Sequence, residues 1–558
     1  MKNLNRLAVF FLLALGATTA FAAETQRYLV STRTAPRRDR LSVMSTSADM
    51  AKRRVRTFKN INAFAADLTA AEVAELKASS DVVLVEPVIE RHAFGIEDGP
   101  ATQAEIIRYN EKQYTPWGIP QIGAPEVWSA SKGSTQVHVA VIDTGIDYEH
   151  PDLKHAYMGG YNTFDPAKTP LDDHRHGTHV AGTIAAADNG FGVIGVAPNV
   201  KLWAVKVLDD DGKGTSETLT AGIDWVVAKA KETGGRWVIN MSLGSRFGSD
   251  IEREAITRAL ADGIVVVAAC GNSSLPFMNY PAGYQGVIAV GAANDDNTLA
   301  AFSTYGVGMS LIAPGVNVTS TFRGGTNSSA DVIQGNALVD AVGITGSPFG
   351  NIIGRLVDCG LGRPEDFPSS VRNRIALVRR GEFPFREKAR NAKDAGALAV
   401  VIVNDPALPN DVDNWTMTYR NCTINGCIVD PEWENYVFPL TVGVEGAQAN
   451  AITALINKTV TVGFRPEDYG ALSGTSMASP HVAGSAALLL SLAPDLNVAQ
   501  LTLALEKTAK DLGEPGWDLR HGWGVIDLNA AARYVAPGLF GLPDNGPTPT
   551  PRRRGTRH

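Results

Sequence analysis

The chain has 558 residues, which allows three or four domains of ordinary size. Apolar residues make up 44% of the sequence, as in a globular protein with a large core, and 51 Lys and Arg stand against 58 Asp and Glu. This mild acidic excess argues against a nucleic-acid-binding protein, and the basic run at residues 552–554 is interpreted as part of a solvated tail.

Residues 1–22 have the pattern of a secretory signal peptide. Two basic residues, Lys2 and Arg6, precede a short apolar run at residues 7–15. An Ala-Phe-Ala sequence at residues 20–22 provides a cleavage site. The apolar run is too short to span a bilayer comfortably, and no other segment of the sequence is long and apolar enough. The sequence therefore predicts export, to the periplasm or the extracellular space, without stable membrane insertion.

Residues 26–94 show a small α+β pattern directly after the predicted signal peptide, which predicts a pro-segment. Thr69 and Glu72 have the spacing of a capping box at the start of the expected helix. The strands are expected at residues 27–30, 62–68 and 81–87, and the helix at residues 70–77.

From residue 113 to residue 320, strands alternate with helices. This rhythm predicts an α/β domain built from βαβ units, with a mostly parallel sheet and helices on both of its faces. The run at residues 137–142 is almost entirely apolar, which is typical of a buried parallel strand. Further strands are expected at residues 201–208, 237–243 and 264–269, and helices at residues 216–233 and 251–261.

The rhythm changes at residues 321–468, where Gly and Asn become frequent, and this predicts an inserted domain. The α/β domain resumes at residues 469–535, where a helix is expected to continue to about residue 510. A disordered tail rich in Pro and Arg is expected at residues 536–558. Within the insertion, strands are expected at residues 374–378 and 398–403, with a helix at residues 385–395 between them.

Four cysteines exclude a disulfide-dense scaffold. Export permits disulfides, and a bridge is expected among Cys359, Cys422 and Cys427, although the sequence does not choose the pair. Cys270 stands alone in an apolar strand and is expected to be a buried free thiol.

Ser476 lies at the start of an apolar helix, within the small-residue run at residues 474–484. Unpaired backbone N–H groups and the positive end of the helix dipole are found at such a place. A hydroxyl held there can attack a carbonyl while nearby N–H groups receive the developing oxyanion. Taken alone, the pattern also fits a helix start packed in a core.

Asp143 and Asn272 each follow a predicted buried strand. The carboxyl ends of parallel strands are where α/β sheets place functional groups. Each residue also has a structural explanation, because Asp143 could close the strand in an Asx turn and Asn272 could adopt a left-handed turn.

His176 begins the stretch at residues 176–182, close to His174 and His179. The three histidines could in principle form a metal cluster or lie in the core. Gly177 and the glycine at residue 182 favour tight backbone packing over a metal site.

In chain order, the residues Asp143, His176, Asn272 and Ser476 resemble the subtilisin-like serine proteases, or subtilases. The order Asp, His, Ser is that of subtilisin. The resemblance rests on residues 141–145, 176–182, 269–272 and 474–480, and it extends over about residues 115–535 without the insertion.

The resemblance implies a subtilisin-like α/β fold and a secreted serine endopeptidase that cleaves proteins or peptides through an acyl-enzyme. Ser476 would be the nucleophile, His176 the general base and acid, and Asp143 the group that orients and stabilises the imidazolium. Asn272 and the N–H of Ser476 would form the oxyanion hole.

Substrate is implied to bind as an extended strand between two edges of the enzyme. Asn279 would form the floor of the primary pocket, where relatives often have glycine, and its polar bulk argues against a strong preference for large aromatic side chains. The implied edges are Ser242, Leu243 and Gly244 on one side and Gly212, Lys213 and Gly214 on the other, with Ala269, Cys270 and Gly271 as the pocket wall.

A structural calcium site is also implied, because subtilases hold calcium with oxygen ligands of the kind this ion prefers. The alternative is an ordinary Asn-Gly turn at residues 189–190. The implied ligands are the side chains of Gln113, Asp152 and Asn189 and the carbonyl groups of Ala187, Phe191 and Val193.

Residues 85–94 resemble the end of an inhibitory subtilase propeptide. The resemblance implies that the pro-segment acts as intramolecular inhibitor and chaperone, and that self-cleavage occurs near Phe94, with a second cut before Gln113. The insertion resembles a β-rich protease-associated (PA) domain at residues 375–385 and 388–392, and such domains influence substrate access or docking.

Two other functions are weighed against this one. An α/β-hydrolase esterase would pair Ser476 with His521 and with Asp495, Asp511 or Asp518, but the sequence shows no strongly apolar strand before Ser476, as its nucleophile elbow requires. A protease-derived binding protein without activity is the other alternative, and the filled catalytic positions argue against it.

Overall fold

The computed structural model describes residues 25–36, 55–94, 97–98, 112–324, 327–344, 346–407, 415, 417, 420–423, 426–429, 433 and 436–541. The predicted signal peptide and the sequence after residue 541 lie outside the described residues. Two compact units are present: one lies within Met1–Phe58 and Asn62–Val88, and the other within Lys59–Ile61 and Ile89–His558.

The first unit contains β1 (Gln26–Thr32), β2 (Val55–Thr57), β3 (Ala63–Leu68), α1 (Ala70–Ala78) and β4 (Val82–Pro87). Its strands form an antiparallel sheet in the order β2-β3-β1-β4, and Leu76 of α1 is buried with Phe64 of β3. The expected capping box is confirmed, since the N–H of Thr69 donates to Glu72 at 2.8 Å and the N–H of Glu72 donates to the Thr69 hydroxyl at 3.3 Å. The predicted small α+β unit is therefore present.

The second unit is larger, and its elements follow in chain order. The part before the insertion contains β5 (Glu90–Ala93), β6 (Glu97–Asp98), α2 (Gly118–Gln121), α3 (Ala124–Trp128), β7 (Val137–Asp143), β8 (Tyr157–Asn162), α4 (His176–Ala185), β9 (Lys201–Lys206), β10 (Lys213–Thr215), α5 (Ser216–Thr233), β11 (Arg236–Met241), β12 (Leu243–Gly244), α6 (Asp250–Ala261), β13 (Val265–Ala269), β14 (Ile288–Ala293), β15 (Leu311–Pro314) and β16 (Val318–Thr321). The remainder contains β17 (Asn327–Gln334), β18 (Ala337–Gly343), β19 (Gly350–Asp358), β20 (Ile375–Arg379), α7 (Phe385–Asp394), β21 (Ala399–Val403), β22 (Arg420–Thr423), β23 (Gly426–Val429), β24 (Leu440–Val444), α8 (Ala449–Thr453), β25 (Thr459–Glu467), β26 (Tyr469–Ser473), α9 (Thr475–Leu492), α10 (Val498–Lys507) and α11 (Leu528–Val535).

Seven strands form one parallel sheet in the order β15-β14-β13-β11-β7-β9-β8. Side chains alternate along a strand, so the two faces of β7 meet different helices. Val139 and Val141 share a core with side chains of α4 and α9, whereas Ile142 faces Gly222 of α5. The predicted parallel sheet with helices on both faces is confirmed.

Seven strands between residues 327 and 467 close into a barrel in the order β17-β18-β24-β21-β20-β19-β25. Its interior is filled by alternate apolar side chains such as Val332, Leu377, Val401 and Val442. The helix α7 packs on a second apolar cluster outside the barrel through Ala389 and others. The insertion is therefore β-rich, as expected, and its described residues include the predicted helix α7 and a short second helix, α8.

The predicted continuous helix to about residue 510 is wrong, because α9 ends at Leu492 and α10 begins at Val498. Pro494 follows the end of α9, and a proline disfavours helical geometry in the residue before it. Asn497 then accepts a hydrogen bond from the Gln500 N–H at 3.0 Å and starts α10 as its N-cap.

The predicted disordered tail begins too early. Residues Pro537–Phe540 form a 3₁₀ helix, and the guanidinium of Arg533 lies 5.1 Å from the centre of the Phe540 ring. The remainder of that predicted tail, from residue 542, lies outside the described residues. Within the described part of the chain, none of the helices is both long and apolar enough to cross a membrane.

The prediction for Cys270 is confirmed, and the predicted bridge among the other three cysteines does not include Cys359. Cys270 is a buried free thiol, as expected, but Cys359 is also free and buried, so no bridge uses it. Its side chain lies in the apolar cluster beneath α7. The antiparallel register of β22 and β23 places Cys422 opposite Cys427.

The packing of α9 against the loop before β9 gives a test of the fold. A methyl group on Gly484 would lie 2.7 Å from Cβ of Val196, and overpacking a tight core costs about 1–3 kcal/mol. We therefore expect Gly484→Ala to lower the apparent melting temperature, measured by circular dichroism. Gly538→Ala is the matched control, because nothing lies within 4 Å of the added methyl there. Equal melting temperatures for the two variants would contradict this packing.

Candidate active site

Asp143 and His176 meet at the carboxyl edge of the parallel sheet. Asp143 is the last residue of β7 and His176 is the first residue of α4. The Nδ1 of His176 lies 2.7 Å from Oδ1 of Asp143, and both side chains are fully buried. A buried carboxylate on Nδ1 fixes the ring orientation and leaves Nε2 to act on a partner.

The buried carboxylate of Asp172 ties together the two segments that carry this pair. Its Oδ1 accepts from the Thr144 hydroxyl at 2.9 Å, and its Oδ2 accepts from the Thr178 hydroxyl at 2.6 Å. The Thr144 hydroxyl also accepts from the N–H of Gly177 at 2.9 Å. Asp172 is not among the residues predicted from the sequence, and its four-residue distance from the first residue of α4 gives no N-cap signal there.

The backbone of α4 lies directly on the turn that follows β7. A methyl group on Gly177 would overlap the carbonyl oxygen of Gly145 and would lie 3.2 Å from Oδ1 of Asp143. Any larger residue at position 177 would therefore push α4 away and lengthen the Asp143–His176 hydrogen bond.

Ser476 lies in the first turn of α9 and is 1% exposed. Its hydroxyl donates to the carbonyl oxygen of Ser242 at 2.9 Å, and the Ser242 hydroxyl donates back to the carbonyl oxygen of Ser476 at 2.8 Å. The Nε2 of His176 is buried and has no hydrogen-bond partner among the described residues. The hydroxyl of Ser476 is thus bonded to a carbonyl here rather than to the imidazole.

Asn272 is held by the residue that precedes Ser476. Its Oδ1 accepts from the N–H of Thr475 at 2.9 Å and from the Thr475 hydroxyl at 2.8 Å. A methyl group on Gly474 would lie 3.1 Å from Nδ2 of Asn272 and 3.6 Å from the backbone nitrogen of Ser476. These two nitrogens therefore flank the same small space, as donors to one oxyanion would.

The strand β5 lies between the two segments implied to bind substrate. It pairs antiparallel with β10 on one side, where Lys213 is opposite His92, and with β12 on the other, where Leu243 is opposite Ala93. The N–H of Ala93 donates to the carbonyl oxygen of Gly212 at 2.9 Å. A segment of the chain itself thus lies between the two edges where the resemblance implies that substrate binds.

Phe94 follows β5 and is 9% exposed. Its ring packs over Gly244, where an added methyl group would lie 2.8 Å from the ring. Asn279 donates from Nδ2 to the carbonyl oxygen of Cys270 at 3.0 Å. The side chain of Asn279 is thus bonded to the segment of Ala269, Cys270 and Gly271, which the resemblance implies to be the pocket wall.

Five of the six implied calcium ligands come together. Gln113 donates from Nε2 to the carbonyl oxygens of Ala187 and, at 3.4 Å, Val193. Asn189 donates from Nδ2 to Oδ1 of Asp152 at 2.8 Å, and the N–H of Val193 donates to Oδ2 at 2.9 Å. Burial raises the pKa of Asp152.

The donor set of this cluster fits a calcium ion. One carboxylate, two backbone carbonyls and two amides meet there, and a half-turn of each amide would exchange its nitrogen for an oxygen. Phe191 contacts the cluster through its N–H, which donates to Oδ1 of Asn189 at 3.2 Å.

The alternatives receive no support from the geometry. Among the described residues, His174, His176 and His179 do not form a group able to hold a metal ion, and the Nε2 of His179 lies 2.8 Å from the carbonyl oxygen of Val318. A short buried strand, β26, precedes Ser476 directly, but its sequence Tyr-Gly-Ala-Leu-Ser is not strongly apolar, as expected. In addition, β26 pairs antiparallel with β16 outside the central sheet, so it does not form a nucleophile elbow. Two residues of the esterase alternative, Asp518 and His521, bond each other at 3.1 Å, but the hydroxyl of Ser476 is bonded to the carbonyl oxygen of Ser242.

Three sequence families match the chain. The subtilase family matches residues 134–342 and 429–524, together more than half of the 558 residues. The PA domain family matches residues 352–425, and the peptidase inhibitor I9 family matches residues 19–93.

Individual relatives agree with these matches. Subtilisin NAT of Bacillus subtilis subsp. natto is 43% identical over 275 residues, which cover 48% of this chain and 66%, slightly under two thirds, of that protein. Subtilisin BL of Lederbergia lenta is 44% identical over 217 residues, which cover 39% of this chain and 78% of that protein. The solved structure of the psychrophilic subtilisin-like protease Apa1 from Pseudoalteromonas sp. AS-11 aligns with a TM-score of 0.51 at 30% identity, covering 78% of this chain and all of that one. The chain therefore belongs to the subtilase family of subtilisin-like serine peptidases, and it carries an I9 propeptide and a PA domain.

Proposed function

We propose that the protein is a secreted serine endopeptidase that hydrolyses peptide bonds in proteins and is made as a self-processing zymogen. The observation that supports this most strongly is the buried 2.7 Å hydrogen bond between Asp143 and His176. Asn272 is bonded to Thr475, the residue before Ser476. Family membership makes Asp143, His176, Ser476 and Asn272 the expected catalytic group.

The first step requires the hydroxyl of Ser476 to change its hydrogen-bond partner. Its hydroxyl leaves the Ser242 carbonyl oxygen, to which it is bonded at 2.9 Å, and turns to Nε2 of His176. The imidazole takes the hydroxyl proton as the oxygen attacks the substrate carbonyl, and Asp143 stabilises the imidazolium. Asn272 Nδ2 and the Ser476 N–H then donate to the oxyanion.

The remaining steps use the same groups. The imidazolium gives its proton to the leaving amine, and the peptide is held as an ester of Ser476. Water then attacks this ester while His176 removes a proton from the water. The imidazolium returns this proton to the oxygen of Ser476 as the ester bond breaks, and the acyl product leaves as a carboxylic acid.

The zymogen proposal rests on the path of the chain on both sides of Phe94. Before it, β5 lies between β10 and β12. After it, Glu97 of β6 pairs with Ser473 of β26, three residues before Ser476. Cleavage after Phe94 would free the enzyme from its own substrate-like strand, and the signal peptide at residues 1–22 would direct the precursor to export.

A structural calcium ion fits this proposal. Gln113, Asp152 and Asn189 would hold it together with the carbonyl groups of Ala187 and Val193. When bound, the ion supplies positive charge that joins the segment before α2 to the loop after α4 and so stabilises the fold.

Removing the proposed nucleophile tests the activity. We expect Ser476→Ala to lower casein hydrolysis by about 10⁶-fold, since loss of a triad serine removes covalent catalysis. N-terminal sequencing should show wild-type protein starting after Phe94 and the variant retaining its pro-segment. Ser491→Ala on the same helix, whose hydroxyl bonds Ala487, is the matched control. Wild-type protein that retains the start Glu24-Thr25-Gln26 would contradict self-processing.

Removing the proposed oxyanion donor should change turnover rather than binding. We expect Asn272→Ala to lower kcat by about 10²–10³-fold with little change in KM, because the donor acts on charge that develops in the transition state. Asn279→Ala should instead change KM and the side chain preferred before the scissile bond. A larger effect on KM than on kcat for Asn272→Ala would contradict the assignment.

The calcium proposal predicts a stability effect. Calcium a hundredfold above its Kd should stabilise the mature enzyme by about 2.7 kcal/mol, seen as slower thermal inactivation that a chelator abolishes and added calcium restores. Asp152→Asn should remove this response, whereas Asp165→Asn, at a half-exposed carboxylate, should keep it. An unchanged response in Asp152→Asn would contradict the site.

A further inference from the structure

Arg91, in the middle of β5, forms a buried ion pair with Glu252 of α6. The two nitrogens Nε and Nη2 of Arg91 lie 3.0 and 2.8 Å from the same carboxylate oxygen, and both side chains are fully buried. The third nitrogen, Nη1, donates to the Ser245 hydroxyl at 2.8 Å and to the carbonyl oxygen of Glu90 at 3.0 Å. All three guanidinium nitrogens therefore have oxygen partners.

The carboxylate of Glu252 is held in place by the start of α6. Ser249 is the N-cap of this helix, and its hydroxyl accepts from the N–H of Glu252 at 3.1 Å. Glu252 thus stands at the third helical position, where a glutamate commonly bonds back to the N–H of the N-cap residue. Here the N–H of Ser249 donates to the hydroxyl of Tyr284 at 2.7 Å, and the Glu252 carboxylate contacts the guanidinium of Arg91 instead.

The register of β5 gives Arg91 a defined place in a substrate. Arg91 is opposite Gly214 of β10 in the antiparallel pairing. If cleavage follows Phe94, Arg91 is the fourth residue before the scissile bond. The neighbouring side chains of Glu90 and His92 are 83% and 45% exposed, so at this end of the strand only Arg91 is enclosed by the enzyme.

Covering Glu252 with substrate has an energetic consequence. A carboxylate that loses water without gaining a cation is strongly destabilised, whereas a guanidinium restores charge and hydrogen bonds together. Lysine would bring the charge as a single ammonium and would lose the forked contacts to the carboxylate and to Ser245.

From this geometry we propose that Glu252 is a specificity-determining residue, which makes the mature enzyme select substrates with arginine at the fourth position before the scissile bond. The proposal rests on the proposed peptidase function and on cleavage after Phe94. It assigns a substrate class: extended peptides with an arginine at the fourth position before the scissile bond.

Peptides that copy the chain test the proposal with wild-type protein alone. Mature enzyme is incubated with a synthetic peptide of residues 89–98 and with three versions that replace Arg91 by Lys, Gln or Leu, and products are identified by mass spectrometry. We expect cleavage after Phe94, with kcat/KM about 100-fold higher for Arg than for Gln or Leu and with Lys between them. Equal values for all four peptides would overturn the selectivity.

Substitutions at the carboxylate test the residue itself. Glu252→Gln keeps the shape and removes the charge, so the ratio between the Arg and Leu peptides should fall below about fivefold, mainly through slower cleavage of the Arg peptide. Glu254→Gln is the matched control, because Glu254 is exposed on the same helix. A retained ratio in Glu252→Gln would overturn the role of Glu252.

The outcomes separate this inference from the proposed function. If no peptide is cleaved by wild-type protein, the peptidase proposal fails. If all four are cleaved equally after Phe94, peptidase activity stands and the arginine selectivity fails. Should Glu252→Gln not mature, the wild-type peptide series still decides.

Discussion

The hydrogen bond between Asp143 and His176 is the contact on which the rest of the site depends. It joins the end of a central strand to the first residue of a helix and is wholly buried. Removing water makes such a bond strong, and it also makes any misplacement costly. The surrounding structure is accordingly rigid: Asp172 bonds both segments, and Gly177 lets the helix backbone lie against the turn after β7.

The carboxyl edge of the sheet gathers the other polar groups. Because the strands are parallel, β7, β11 and β13 all end on the same side, and Asp143, Ser242 and Asn272 follow from these ends. Ser476 reaches this edge differently, from the start of α9, which packs on the same sheet face as α4. In this structure Ser476 is bonded to the carbonyl of Ser242, so the proposed catalytic arrangement needs its hydroxyl to leave that carbonyl for Nε2 of His176.

The strand β5 connects the architecture to specificity. Backbone pairing with β10 and β12 accepts any extended segment, because it involves only N–H and C=O groups. Discrimination must then come from enclosed side chains, and along this strand those are Arg91 and Phe94. The buried carboxylate of Glu252 and the apolar contact at Gly244 are therefore the places where the proposed enzyme can distinguish one peptide from another.

Local pattern was enough to predict most elements. The strand at residues 137–142 and the helix at residues 216–233 were expected from apolar periodicity, and their observed bounds differ by one residue or none. The residue types of Asp143, His176, Asn272 and Ser476, in chain order, indicated the family without any geometry. The prediction was wrong at the end of α9, where the helix was expected to continue past Pro494. The short strand β26 was not predicted, because its five residues include a glycine and are not strongly apolar.

Tertiary structure alone decided the contacts between distant segments. Arg91 and Glu252 are separated by 161 positions, and Asp172 acts through residues whose side chains are brought together by folding. Neither is visible in a linear pattern, because an ion pair or a hydrogen bond depends on distance and solvent exclusion rather than on spacing along the chain. The sequence by itself determined which chemical groups this protein has and the family to which it belongs. Folding decided which of those groups are buried in contact with one another.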